Sequence, residues 1–199
     1  TLDGAGNGST TAAAINNGSN DNCTSMGSLG LSLNTSGFTC AQLGANTVVL
    51  TVTDGAGRTG TCNATVTVTD PIVPAITCPA NIALPSSPGL CAATVTYTAP
   101  VGTDNCTPTT TQTAGLASGA AFPVGVTTNT FRATDGSGNS ATCSFTVTIS
   151  DAQLPSITCP ANINVSNTVG SCSATVTYTA PVGTDNCADA NTTEKGGQE

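Results

Sequence analysis

Apolar and polar residues alternate along most of this chain, and the alternation comes in short runs. Thr47 to Thr53 reads T-V-V-L-T-V-T, which puts Val48, Leu50 and Val52 on one face. Ala64 to Thr69 reads A-T-V-T-V-T, with Val66 and Val68 inward and Thr outward. A period of two over such lengths predicts half-buried strands. The same rule predicts strands at Ile76–Thr77, Ile82–Leu84, Ala93–Thr98, Thr109–Thr113, Thr127–Thr134 and Ser144–Ile149. Leu29, Leu31 and Leu33 add another alternating run. Turns are expected at Asp54–Gly57, Pro85–Gly89, Pro100–Asp104, Ala117–Gly119 and Asp135–Asn139, where Gly, Pro, Asn and Asp gather. Ser9 to Ile15 reads as a short strand; its alanines favour helix only weakly at that length. No segment carries a convincing helical period. Some seven short strands per module indicate a β-sandwich.

The runs themselves repeat. I-T-C-P-A-N-I at Ile76 returns at Ile157, 81 residues on. Asp54 and Asp135, Cys62 and Cys143, and Asp70 and Asp151 are each 81 apart as well. The expected organisation is an incomplete repeat over 1–70 that lacks its first strand, and a complete repeat over 71–151. The first half of a third covers 152–190, and a tail at 191–199 fits no repeat. The chain therefore reads as an excerpt of a longer array, or as one whose ends are completed by neighbouring copies head to tail through strand addition. Both readings give a filament or stalk.

Composition narrows the class. Aromatic residues are 3 % and there is no Trp, so each module buries a thin core. Ten Cys at recurring spacing point to disulfides and an extracellular setting. There is no His and no C-x-x-C, so a zinc site is not expected. Three basic residues against eleven acidic ones, a net charge of −8, exclude nucleic acid as a partner. The same balance suits an anionic membrane poorly, and no apolar run is long enough to span a bilayer. An enzyme is not expected: Ser is plentiful, but no His is present to activate it, and the single Lys, Lys195, lies in the tail.

Several motifs occur together: C-P-A-N-I, G-x-C-x-A-T-V-T-Y-T-A-P, T-D-N-C, F-P-V-G and T-D-G-S-G-N-S-A-T-C-S-F-T-V-T-I. Together they resemble the hyalin repeat (HYR) family over 72–151, with the first half again in 152–187 and the second half in 21–70. The resemblance implies tandem immunoglobulin-like sandwiches of secreted and cell-surface proteins linked to adhesion. The expected role is a structural repeat of an extracellular filament or adhesin stalk. The alternative is a carbohydrate- or protein-binding module of a secreted multidomain protein.

Repeat 1 has Cys23 and Cys62 in the places of Cys106 and Cys143, lacks a counterpart of Cys91, and carries Cys40 of its own. Taking Cys40 as the substitute partner of the D-N-C cysteine suggests Cys23–Cys40, Cys91–Cys106 and Cys172–Cys187. Cys78–Cys143 then ties the first strand to the last. Cys62 and Cys159 are expected to be unpaired within the chain.

The acids sit at recurring places: Asp21, Asp104 and Asp185 in the D-N-C slot, Asp54 and Asp135 in the T-D-G turn, and Asp70 and Asp151 at the module boundary. Two readings stay open. Asp starts turns well through its side-chain hydrogen bond to the backbone. Calcium also takes six to eight oxygens from such loops. Sequons at Asn7, Asn17, Asn34, Asn63, Asn164 and Asn191 are candidate glycan sites; those at Asn22 and Asn105 sit beside expected disulfides and read as less accessible.

Overall fold

A computed structural model describes residues 1–187. Asn191, the tail 191–199 and the last three residues of the third repeat, 188–190, lie outside the described residues. The architecture is all-β, made of immunoglobulin-like sandwich modules stapled by disulfides. The strands are β1 (Asn7–Ser9), β2 (Gly30–Leu33), β3 (Gly37–Thr39), β4 (Gly44–Thr53), β5 (Thr59–Val68), β6 (Ile82–Pro85), β7 (Ala92–Thr94), β8 (Thr109–Ala114), β9 (Ala121–Pro123), β10 (Gly125–Thr134) and β11 (Ser140–Ser150). Four sheets form, in the orders β1-β3, β2-β4-β5, β7-β9 and β6-β11-β10-β8.

The two long hairpins follow the sequence pattern. β4 pairs with β5 antiparallel from Gly44↔Val68 to Thr53↔Thr59. Its turn is closed by Asp54, whose Oδ1 accepts from the N–H of Ala56 at 2.9 Å and of Arg58 at 2.8 Å. The turn after β10 is built alike, with Asp135 Oδ1 accepting from Ser137 and Asn139. Gly57 and Gly138 take φ of 82° and 90° there, a conformation that suits glycine. Against expectation, Ser9 to Ile15 is not one strand. β1 ends at Ser9, and Ala12–Ile15 forms a four-residue helix whose start is capped by Thr11 accepting from Ala14 N–H.

By compactness the chain falls into two units. The first comprises Thr1–Pro79, Ala99–Ala114 and Thr130–Ser144. Its core gathers Leu2, Phe38, Val48 and Val68 around Cys106, with Ile15, Leu43 and Val66 packed against it. β8 and β10 pair antiparallel in it, and Phe131 and Ala133 are buried. This unit takes residues from both sides of the first repeat boundary.

The second unit comprises Ala80–Thr98, Gly115–Asn129 and, of the described residues, 145–187. Phe145, Val147 and Ile149 on alternate positions of β11 are buried, as the period of two predicts. Burying side chains of that size contributes roughly 1.5–3 kcal/mol each. Tyr97 meets Phe145 edge to face with centroids 5.0 Å apart, and its hydroxyl donates to Leu116 C=O at 2.6 Å. The segment 152–187 belongs to this unit, and the only pairing assigned to it among the described residues is the bridge Ser156↔Thr184. That bridge repeats Ala75↔Thr103 one period on.

Candidate functional site

Three disulfides are formed, and two of them depart from the expected pairing. Cys40 bonds Cys106 and Cys91 bonds Cys187, whereas Cys78 bonds Cys143. Cys23–Cys40, Cys91–Cys106 and Cys172–Cys187 are absent, and Cys23, Cys62, Cys159 and Cys172 are exposed free thiols. The reason lies in the D-N-C loop. Thr103 and Ala75 exchange two backbone hydrogen bonds of 2.8 Å, which fold the loop back onto the segment between repeats. Cys106 then faces repeat 1 and the turn that carries Cys40, not Cys91 of its own repeat. A capping box at Thr39 and Gln42 fixes that turn. Each D-N-C cysteine that is bonded thus joins its repeat to the one before.

The same loop brings three of the seven candidate acids together. One oxygen from each of Asp70, Asp104 and Asp135 lies within 4.8 Å of the others. Asp70 follows β5 and is 4 % exposed; Asp135 starts the β10–β11 turn and is 8 % exposed. Asn139 organises the backbone around them, its Nδ2 donating to Asp70 C=O, Ile72 C=O and Asp135 Oδ2 at 2.9, 3.0 and 2.8 Å. Asp70 Oδ1 accepts from Ile72 N–H at 3.1 Å and from Asn105 Nδ2 at 3.2 Å.

Four buried side-chain oxygens at this place have no hydrogen-bond partner: Asp70 Oδ2, both carboxylate oxygens of Asp104, and Asn105 Oδ1. Leaving buried carboxylate oxygens unpaired is costly, and several at one place call for a ligand. The spacing suits a hard cation. Oxygens bound to one calcium ion at roughly 2.4 Å can stand no more than roughly 4.8 Å apart. The donor set is entirely oxygen, as calcium prefers.

The other four acids do not join such a group. Asp21 Oδ2 accepts from Cys23 and Thr24 N–H, and these bonds, that from Cys23 foremost, hold its carboxyl below the ordinary aspartate value. Asp54 is held low by the N–H of Arg58 first and by the Arg58 guanidinium as well, whose Nε lies 2.8 Å from Oδ2. Asp21, Asp54 and Arg58 line one shallow cleft of about 520 Å³. Arg58 stands where Asn139 stands one period later, so repeat 1 carries a fixed positive charge in place of an amide. Asp151 Oδ1 caps Gln153 N–H, and Asp185 Oδ1 accepts from Asn186 N–H. Among the described residues neither belongs to a group of three acids.

Sequence reasoning passed over Asn105, Asn139 and Arg58. The signal is present: D-N recurs at 21–22, 104–105 and 185–186, and the sixth residue of the T-D-G turn is Arg58 in one repeat and Asn139 in the next. Of the sequon asparagines, Asn7, Asn17, Asn34, Asn63 and Asn164 are exposed, as is Asn22, whose neighbour Cys23 is unbonded; Asn105 is half-buried.

The family model for the HYR domain matches residues 69–149 and again 150–199. The chain belongs to the HYR family. Two relatives agree: Hyalin of Strongylocentrotus purpuratus is 35 % identical over 148 residues, and Hyalin of Lytechinus variegatus 36 % over 150. Each alignment covers 72 % of this HYR chain but only 12 % and 28 % of the respective Hyalin. Among solved structures, extracellular cadherin domains 1–4 of protocadherin gamma B7 match 65 % of this chain and 41 % of that one, at a TM-score of 0.30 and 18 % identity. Domains 3–6 of the same protocadherin match 68 % and 44 %, at 0.31 and 16 %. Likeness at that score says nothing about function. Among the described residues, no helix is long and apolar enough to cross a membrane.

Proposed function

We propose that this chain is a run of extracellular structural repeats of a filament or adhesion stalk, with calcium bound at the boundary between consecutive HYR repeats. The repeats are those of 1–70, 71–151 and 152–190, joined head to tail and without chemistry of their own. The observation that carries the reading is the group of Asp70, Asp104 and Asp135 with its unpartnered buried oxygens. Asp70 closes one repeat, and Asp104 and Asp135 belong to the next. A cation shared among them ties these two repeats together at their joint. Asp70 Oδ2, both oxygens of Asp104, Asn105 Oδ1 and one oxygen of Asp135 would supply five ligands, with water completing the shell.

The three disulfides support secretion, and the exposed sequons are candidate carriers of glycans. Repeats so poor in aromatic residues bear on partners mainly through neighbouring repeats and copies. The test is titration calorimetry of the oxidised chain with calcium chloride. Saturable binding, lost in Asp70→Ala, is expected. An isotherm indistinguishable from buffer dilution would overturn the cation reading. Electron microscopy of the native material decides the filament: isolated globular particles would contradict it.

A further inference from the structure

We propose that the Cys40–Cys106 disulfide is the positioning element of the cation site, and that calcium in turn shields this bond from reduction. The inference rests on the calcium reading above. Cys106 directly follows Asp104 and Asn105, which supply three of the four unpartnered oxygens. Those two residues hang between two anchors. On one side Thr103 is bridged to Ala75. On the other, Cys106 is 4 % exposed and bonded to Cys40.

The surroundings of the bond leave little slack. Cys40 Sγ lies 3.5 Å from Asn105 C=O. A Cβ placed on Gly6 would stand 2.8 Å from Cys40 Sγ and 2.9 Å from the Asn105 carbonyl oxygen, so the N-terminal turn passes directly over the bond. Asp3 C=O accepts from Asn105 Nδ2 at 3.1 Å from that turn. Without a cation, Asp104 is repelled by Asp70 and Asp135. The covalent tether at Cys106 opposes the outward movement of the loop. Cutting it frees Asp104 and Asn105 to swing away from the other ligands, so calcium must then order them as it binds. Binding linkage runs both ways: whatever the bond adds to calcium affinity, calcium adds to the stability of the bond.

The reductive step is a thiol–disulfide exchange. A dithiol reagent gives two electrons and two protons to the Cys40–Cys106 bond, leaves two thiols, and closes to its own cyclic disulfide.

The experiment compares calcium titrations of the native oxidised chain, Cys40→Ser/Cys106→Ser, and Cys78→Ser/Cys143→Ser. The first pair should weaken calcium binding about tenfold. The second, which cuts a tether of similar span, 65 against 66 residues, should change it less than twofold. In parallel, saturating calcium should shift the equilibrium between Cys40–Cys106 and dithiothreitol about tenfold toward the disulfide, read in a dithiothreitol redox buffer by mass spectrometry of the linked peptides. Should the serine pair fail to fold, that equilibrium alone decides. Equal affinity in all three proteins, or a reduction equilibrium indifferent to calcium, overturns the inference while leaving the cation site intact. No calcium binding by the native chain overturns the site itself.

Discussion

Asp104→Asn should stabilise the metal-free chain and destabilise the calcium-loaded one. The substitution keeps the shape of the side chain and removes one of three clustered charges. At a separation of 4.8 Å, a pair of carboxylates repels by about 0.9 kcal/mol at the dielectric of water and about 3.5 kcal/mol at an effective value of 20. Asp104 takes part in two of the three pairs. Both Asp104 oxygens are buried, so the fully screened value, about 2 kcal/mol for the two pairs, is the least relief to expect. The new amide can also donate to Asp70 Oδ2, which has no partner at present.

In calcium the sign reverses. Native protein at a hundredfold excess over its dissociation constant gains about 2.7 kcal/mol. The variant, short of two negative oxygens, gains little of it. The assay is thermal melting by circular dichroism in chelator and in calcium. The variant should melt about 4–8 °C above the native chain in chelator, and below it in calcium. If Asp104→Asn lowers the melting temperature in chelator, the cluster is not held together against repulsion. If both proteins rise equally with calcium, Asp104 is not a ligand. Either result refutes the reasoning.

Alkylation without reduction, followed by peptide mapping, should recover Cys40–Cys106, Cys78–Cys143 and Cys91–Cys187 as linked peptides and Cys23 as a modified thiol; a Cys91–Cys106 link would contradict the fold. Gly115→Ala should destabilise the protein by several kcal/mol in denaturant melts, because a Cβ there collides with Asn129 Oδ1 at a backbone φ of 88° that disfavours any L side chain. Phe122→Ala, at a site with no exposure, should cost about 3–5 kcal/mol in the same assay. Acid should destabilise the chain through Asp3, Asp21 and Asp54, whose carboxyls are held low chiefly by backbone N–H groups. A depressed folded-state value contributes stability above the ordinary aspartate range and loses it as pH falls through the folded value. Melting temperature should therefore hold from neutrality to about pH 4 and drop below it.

What could be read from the chain alone was what is local. The strand faces of β4, β5, β10 and β11 follow from a period of two, and their turns from Asp54 and Asp135 with the glycines after them. β7 stops at Thr94, short of the expected Thr98, because Val95 and Tyr97 bond instead to Gly119, Ala120 and Ser118, a partner segment no alternation announces. β9 is three residues ending in Pro123 and has no periodic signal of its own. The disulfides mark the boundary of the method more sharply. Treating Cys40 as the stand-in for Cys91 holds, since each bonds a D-N-C cysteine. The bond does not stay inside one repeat, because Thr103 folds back to Ala75, which nothing in linear spacing says. The acids divide in the same way. All seven occupy turn positions suited to Asp, and only the fold brings Asp70, Asp104 and Asp135 within 4.8 Å of one another. Position 139 carries an amide that can serve three oxygens at once, whereas position 58 carries a guanidinium that already occupies Asp54. Comparing these two positions across one period, before any coordinates, separates the turn that can offer a carboxylate to a cation from the turn that has its own. By that criterion, Arg58→Asn is the change that should release Asp54 for a metal.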